Sequence, residues 1–186
     1  MKLFSCPAMI EKYYPAGTEL RDILEGHSRQ VADMALAIAE RLELDIPRDI
    51  IEDAAMLHDI GICRTYAPGI KCFGTEPYLM HGVIGARMLR DEGAPQWASD
   101  VAERHTGAGL TRADIVAAGM PDPGHDLLPR TKLERLVCYA DKFFSKTRVG
   151  APPKPLDRVR ASIAKFGPEA ATRFESLHTE FTTRNN

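Results

Sequence analysis

Six side chains in this sequence are of types that ligate transition metals: His27, His58, Asp59, His81, His105 and Asp141. Neutral imidazole and carboxylate are transition-metal ligands, and a mixed set suits iron, manganese, zinc or nickel better than magnesium or calcium. Each of the six falls on or beside the apolar stripe of a predicted helix, and five helices contribute. Buried independently, four imidazoles and two carboxylates would each carry a desolvation penalty. Convergence on a shared cation removes it. His125, in a loop, and His178, on a terminal helix, lack this placement.

The central stretch is Ala54-Ala55-Met56-Leu57-His58-Asp59-Ile60-Gly61. Pro47 suits the first turn of its helix, and Ile50, Ile51, Ala54, Ala55 and His58 follow at helical spacing. Gly61 is expected to supply the left-handed residue that closes the helix. Asp59 then sits at the negative end of the helix dipole, a position that costs a carboxylate roughly 0.3–1 kcal/mol before any desolvation. Something positive should compensate. In isolation the His-Asp pair would read as a core histidine beside a solvated aspartate; the other four positions change that balance.

The elements that must position these residues read as all-α. A first helix runs from Pro7 to Tyr14 and ends at Pro15-Ala16-Gly17. Thr18 caps a long second helix reaching Leu44, in which His27 is the one strongly polar entry on a stripe of Leu20, Leu24, Val31, Met34, Ala35, Ile38 and Leu42. An irregular segment from Ile62 to Pro77 follows the third helix and carries Arg64, Tyr66, Lys71 and Glu76; long ordered loops often serve function. The fourth helix, Tyr78 to Glu92, faces His81, Ile84, Gly85 and Met88 inward and ends at Gly93. A fifth opens at Pro95 and aligns Ala98, Val101, Ala102 and His105. Thr111-x-x-Asp114 and Thr131-x-x-Glu134 have the capping-box pattern for a short sixth helix and a seventh, Leu133 to about Ser145. Final helices are expected near Leu156–Phe166 and Pro168–Phe181, with Asn185-Asn186 frayed. No strand shows clear alternation, and there is no internal repeat.

At 186 residues the chain suits one domain, residues 1–186, with a core over about 18–145 and C-terminal helices over 150–186. A hydrophobic content of 44% and a net charge of −2 offer no basic excess to draw nucleic acid or anionic lipid. Cys6, Cys63, Cys72 and Cys138 form no Cys-x-x-Cys pair and read as reduced thiols of a cytoplasmic protein. The N-terminus lacks the apolar run of a signal peptide, and no stretch approaches a membrane span.

The ordered series His27 … His58-Asp59 … His81 … His105 … Asp141 resembles the HD superfamily of metal-dependent phosphohydrolases, of which the His-Asp-Ile-Gly motif is typical. The contexts HSRQVADMALAIAERL, DAAMLHDIGI, HGVIGARMLRDEG, ERHTGAGLT and VCYADKFF are similar to the family's, over roughly Asp22 to Phe144. The resemblance implies a helical bundle with metal held between its central helices. It assigns His27, His58 and Asp141 to one ion and His81 and His105 to a second, with Asp59 bridging. Two ions roughly 3.5–4 Å apart can deprotonate a bridging water and stabilise charge on phosphoryl oxygens. The expected substrate is a small phosphate ester or anhydride, nucleotide-like. The His-Gly and His-Thr-Gly contexts resemble the bacterial hydrolases of diadenosine tetraphosphate; the Gly-Tyr-Pro element of HD-GYP phosphodiesterases is missing. A one-metal nucleotidase and a catalytically silent binding or signalling module are the alternatives. Many two-metal members place a phosphate-contacting lysine three residues after the motif aspartate, where this chain has Ile62. Arg64, Lys71 and Lys142 are the cations expected to replace it, beside Asp59.

Overall fold

Several helix ends meet in the middle of this bundle, where imidazoles and carboxylates are buried. The structure, a computed structural model, describes residues 4–183; the expected fraying at Asn185 and Asn186 falls outside them. Nine α-helices occur among the described residues: α1 (Cys6–Tyr13), α2 (Glu19–Arg41), α3 (Arg48–Leu57), α4 (His81–Asp91), α5 (Gln96–Arg104), α6 (Arg112–Ala117), α7 (Lys132–Asp141), α8 (Leu156–Ile163) and α9 (Pro168–Thr182). No helix is long and apolar enough to cross a membrane among the described residues.

The expected caps hold where a hydroxyl meets a free N–H. Thr18 Oγ1 accepts from Arg21 N–H at 3.3 Å, and Thr111 with Asp114 forms a reciprocal capping box. At α7 Thr131 accepts from Glu134 N–H, but the Glu134 carboxylate reaches the N–H of Arg130 instead of closing the box.

The core has two main bodies. One packs Val31, Ala35, Ala54, Leu136, Val137 and Phe174, joining α2, α3, α7 and α9. The other packs Met9, Tyr14, Leu24, Leu57, Ile60 and Leu89, joining α1 and α4 to the N-terminal part of α2 and the end of α3. At about 25 cal/mol per Å² of apolar surface, each fully buried leucine or isoleucine here contributes roughly 1.5–3 kcal/mol.

Three expectations are corrected. The third helix stops at Leu57, with His58 as its C-cap, and a 3-10 helix, Ile60–Arg64, carries the chain on. Gly61 therefore closes nothing and has no positive φ. A Cβ there would lie 2.1 Å from the carbonyl oxygen of His81 and 2.5 Å from the backbone nitrogen of Gly85, so glycine is required by close approach to α4. Second, the segment read as irregular contains a two-residue antiparallel ribbon, Tyr66–Ala67 (β1) with Cys72–Phe73 (β2); elements this short carry no readable alternation. Third, α7 ends at Asp141 rather than near Ser145, and a 3-10 turn at Lys146–Arg148 follows. Cys6, Cys72 and Cys138 are buried, Cys63 half-buried, and all four are free thiols.

Candidate metal centre

The six residues come together, and five of them do so at helix ends or just beyond. His58 caps the C-terminus of α3, Asp59 follows it, His105 caps α5, Asp141 closes α7, and His81 opens α4. Only His27 lies mid-helix, on α2. Three helix C-termini thus aim their partial negative charge at one point, which favours a cation there. Asp59 sits at φ −101°, ψ 11°, the bridge region common at active sites.

Asp59 is fully buried, and its two oxygens divide the histidines between them. Oδ2 lies 3.2 Å from His27 Nε2 and 3.0 Å from His58 Nε2. Oδ1 lies 3.3 Å from the Nε2 of both His81 and His105. Asp141 Oδ1 joins the first pair, 2.9 Å from His27 Nε2 and 3.6 Å from His58 Nε2. Two groups of ligand atoms result, each within 4.8 Å: His27, His58, Asp59 and Asp141; and Asp59, His81 and His105.

The outer nitrogens fix which atoms face inward. Nδ1 of His58, His81 and His105 donates to the carbonyls of Ala55, Tyr78 and Ala102 at 2.6, 2.7 and 2.8 Å. In its neutral form each ring then presents an Nε2 lone pair to the centre, the orientation metal-bound histidines adopt. His81 and His105 consequently point two lone pairs at each other across 3.0 Å. That contact is repulsive without a cation or shared proton between them. His58 Nε2 and Asp59 Oδ1 have no hydrogen-bond partner despite complete burial, and among cationic side chains Asp59 Oδ2 meets the Lys146 ammonium. The donor set and its orphaned atoms fit divalent transition metal ions.

Charge follows the same pattern. Burial pushes His105 down to about 3, whereas burial of His58 is outweighed by Asp59 and Asp141, which lift it to about 9. Burial opposes ionisation of Asp59 and Asp141, yet His58 and Lys146 at Asp59, and Lys142 and Lys146 at Asp141, hold both well below the usual carboxylate range.

A cavity of about 540 Å³ opens onto the cluster, lined in part by His81, His105, Asp141, Lys142, Lys146 and Lys154. Of the cations expected from sequence, only Lys142 is here: its ammonium lies 2.6 Å from Asp141 Oδ2 and donates to His105 O at 3.0 Å. The structure does not bring Arg64 or Lys71 to the cavity. Arg64 lies over the Tyr13 ring at 5.9 Å, and Lys71 pairs with Glu19 at 3.2 Å. Ile62 is wholly buried. Lys146, not foreseen, sets its ammonium 2.7 Å from Asp59 Oδ2 with the side chain 12% exposed. It places a positive charge directly beside the buried aspartate. Tyr14 was also missed: its hydroxyl donates to Ile60 O at 2.7 Å and accepts from Cys63 N–H at 3.2 Å, pinning the turn after Asp59. His125 and His178 lie elsewhere, against Glu103 and Tyr139.

Comparison with known proteins bears on this arrangement. A family model described as the HD domain matches residues 24–145, which hold all six residues. A tRNA (cytidine(56)-2'-O)-methyltransferase of Thermoplasma volcanium is 34% identical over 163 residues, 87% of this chain and 43% of that protein. The chain therefore spans less than half of that relative's length. The crystal structure of the L. monocytogenes phosphodiesterase PgpH HD domain matches with a TM-score of 0.53 at 20% identity, covering 99% of this chain and 90% of that one. The same domain in complex with cyclic-di-AMP matches at 0.52 and 16%, covering 95% of each. These two likenesses speak for the fold. With the family model covering most of the chain, from α2 through α7, the protein belongs to the HD-domain family.

Proposed function

We propose that this chain is a metal-dependent phosphohydrolase acting on a phosphate ester or anhydride of a nucleotide-like substrate, with two ions held around Asp59. The observation that carries the reading is the division of the Asp59 carboxylate, one oxygen facing His27 and His58, the other facing His81 and His105. In it His27, His58 and Asp141 hold one ion, His81 and His105 the other, and Asp59 serves both. Ions so bound supply Lewis acidity, lowering the pKa of water and neutralising charge on phosphoryl oxygens.

The chain's own residues do the rest. The backbone carbonyls of Ala55, Tyr78 and Ala102 keep three imidazoles in the ligating tautomer. Lys142 holds the Asp141 carboxylate against the end of α5. Lys146, at the cavity wall, offers an ammonium to a phosphoryl oxygen beside Asp59, the task for which Ile62 has no donor. The cyclic-di-AMP complex of a fold neighbour supports a nucleotide as the substrate class. The methyltransferase activity is that of a protein of which this chain spans 43%, and the ligand set points to hydrolysis instead.

The test is metal content of anaerobically purified protein together with a phosphate-release screen over nucleotides. Two ions per chain and phosphate release, both lost in Asp59→Ala, are expected. Full occupancy in that variant would sink the assignment of Asp59. Saturation at one ion would favour the one-metal nucleotidase, and two bound ions with no turnover would favour a silent module.

A further inference from the structure

The cavity carries a third lysine that the ligand cluster does not use. Lys142 is engaged by Asp141 and the carbonyl of His105, and Lys146 by Asp59. Lys154, half-buried on the same wall, has no ion pair and no hydrogen bond to its ammonium among the described residues. Long cationic side chains ordinarily keep the charged head in water or paired. Burial, reinforced by Lys142, Lys146 and Arg148 against the pull of Asp141, pushes its ammonium below the ordinary lysine value. Asp141 is the one carboxylate among the cavity's lining residues.

The chain holds this lysine in place. Pro152 and Pro153 precede it and Pro155 follows, so the backbone on both sides has little freedom. The strap is also tied to the bundle. Gln30 donates to Ala151 O at 2.7 Å and accepts from Gly150 N–H at 3.1 Å, and the N–H of Lys154 itself donates to Phe143 O at 2.8 Å. A rigid strap presenting an unpaired cation to a cavity with two further lysines is a pre-organised anion contact.

We propose that Lys154 binds a second, non-reacting phosphate, so that the site takes a polyphosphate rather than a simple monoester. This rests on the phosphohydrolase reading for the location of the reacting phosphate, at Asp59 and Asp141. A phosphate linked to that one brings further negative charge, and Lys154 is the uncommitted cation on the same wall to meet it.

Calorimetric binding to manganese-loaded protein tests this with two non-hydrolysable probes, methylphosphonate and methylenediphosphonate. Lys154→Met should weaken the diphosphonate about tenfold or more and the monophosphonate less than about twofold, with Lys154→Arg close to wild type. Metal stoichiometry should be unchanged. Unaltered diphosphonate affinity in Lys154→Met overturns the proposal. So do equal losses on both probes, which would mean a diffuse field rather than a second contact, and a wild type that binds neither probe. Selective loss of diphosphonate binding in a protein that releases phosphate from no substrate would leave this contact standing and defeat the phosphohydrolase reading alone.

Discussion

Replacing Gly61 with alanine should separate the two halves of the proposed metal centre. The 3-10 helix after Asp59 and the first turn of α4 touch backbone to backbone at Gly61. An added Cβ would lie 2.1 Å from His81 O, 2.5 Å from Gly85 N and 2.9 Å from Gly85 Cα. None of these atoms ends a flexible side chain, so the methyl cannot be absorbed by a rotamer change. Restoring an ordinary carbon–oxygen separation of about 3.3 Å requires α4 to retreat by about 1.2 Å. His81 is the first residue of that helix and moves with it, away from Asp59 Oδ1 at 3.3 Å and His105 Nε2 at 3.0 Å. Metal–ligand distances tolerate only about 0.2 Å. Gly61→Ala should therefore lose the ion nearest His81 and keep the one at His27 and His58, with overpacking costing about 1–3 kcal/mol of stability. Activity should fall by about a hundredfold, the usual toll of a 1 Å misplacement. Elemental analysis at saturating metal and urea denaturation read the two effects. Gly69→Ala is the control, since nothing lies within 4 Å of its added Cβ and its φ is not positive. A Gly61→Ala protein with wild-type stability and full metal occupancy would refute the close-approach account.

Three further outcomes are expected. His81→Ala should lower metal stoichiometry from two per chain toward one while leaving the fold intact, and unchanged stoichiometry would remove His81 from the ligand set. Replacing Arg64 and Lys71 together should leave KM for nucleotide substrates unchanged, since they sit against Tyr13 and Glu19; a rise in KM would show that the loop closes over the cavity. Glu134, buried, accepts from Arg104 Nη1 at 3.0 Å and Arg130 N–H at 2.8 Å. Burial would raise its pKa, but these donors, with Thr131, lower it overall. Its stabilisation is thus complete above the unfolded value and fades as pH falls through the folded one. Glu134→Gln should cost about 1.5–3 kcal/mol at neutral pH, and the gap to wild type should begin to narrow only below the ordinary glutamate value of about 4.3 and go on closing as pH falls through the lowered folded one; a pH-independent gap in urea denaturation would contradict this.

How much of this centre could be read in the sequence depended on whether each residue belongs to a periodic element. His27 interrupts an apolar stripe on α2, and His81 and His105 continue the inner stripes of α4 and α5, so the spacing that buries leucine and alanine also fixed their direction. The all-α class and the convergence of six polar groups follow from that signal, while the N-caps are legible separately in Thr18, Thr111 and Thr131. What escaped it lies between elements. Periodicity assigned Gly61 to the end of a helix because glycine commonly stands there, but its role is set by a contact with a helix some twenty residues on, which no local pattern records. Lys146 and Lys154 belong to a turn and a proline-rich strap, where a cation that faces solvent and one that faces a cavity have the same sequence appearance. Arg64 and Lys71 were the mirror case, cations in a long loop with every compositional mark of a binding segment, yet directed at Tyr13 and Glu19. The difference lies in where the chain goes after Asp141. Because α7 ends there, the following residues turn back over the centre, and Lys146 reaches the buried aspartate that Ile62 cannot.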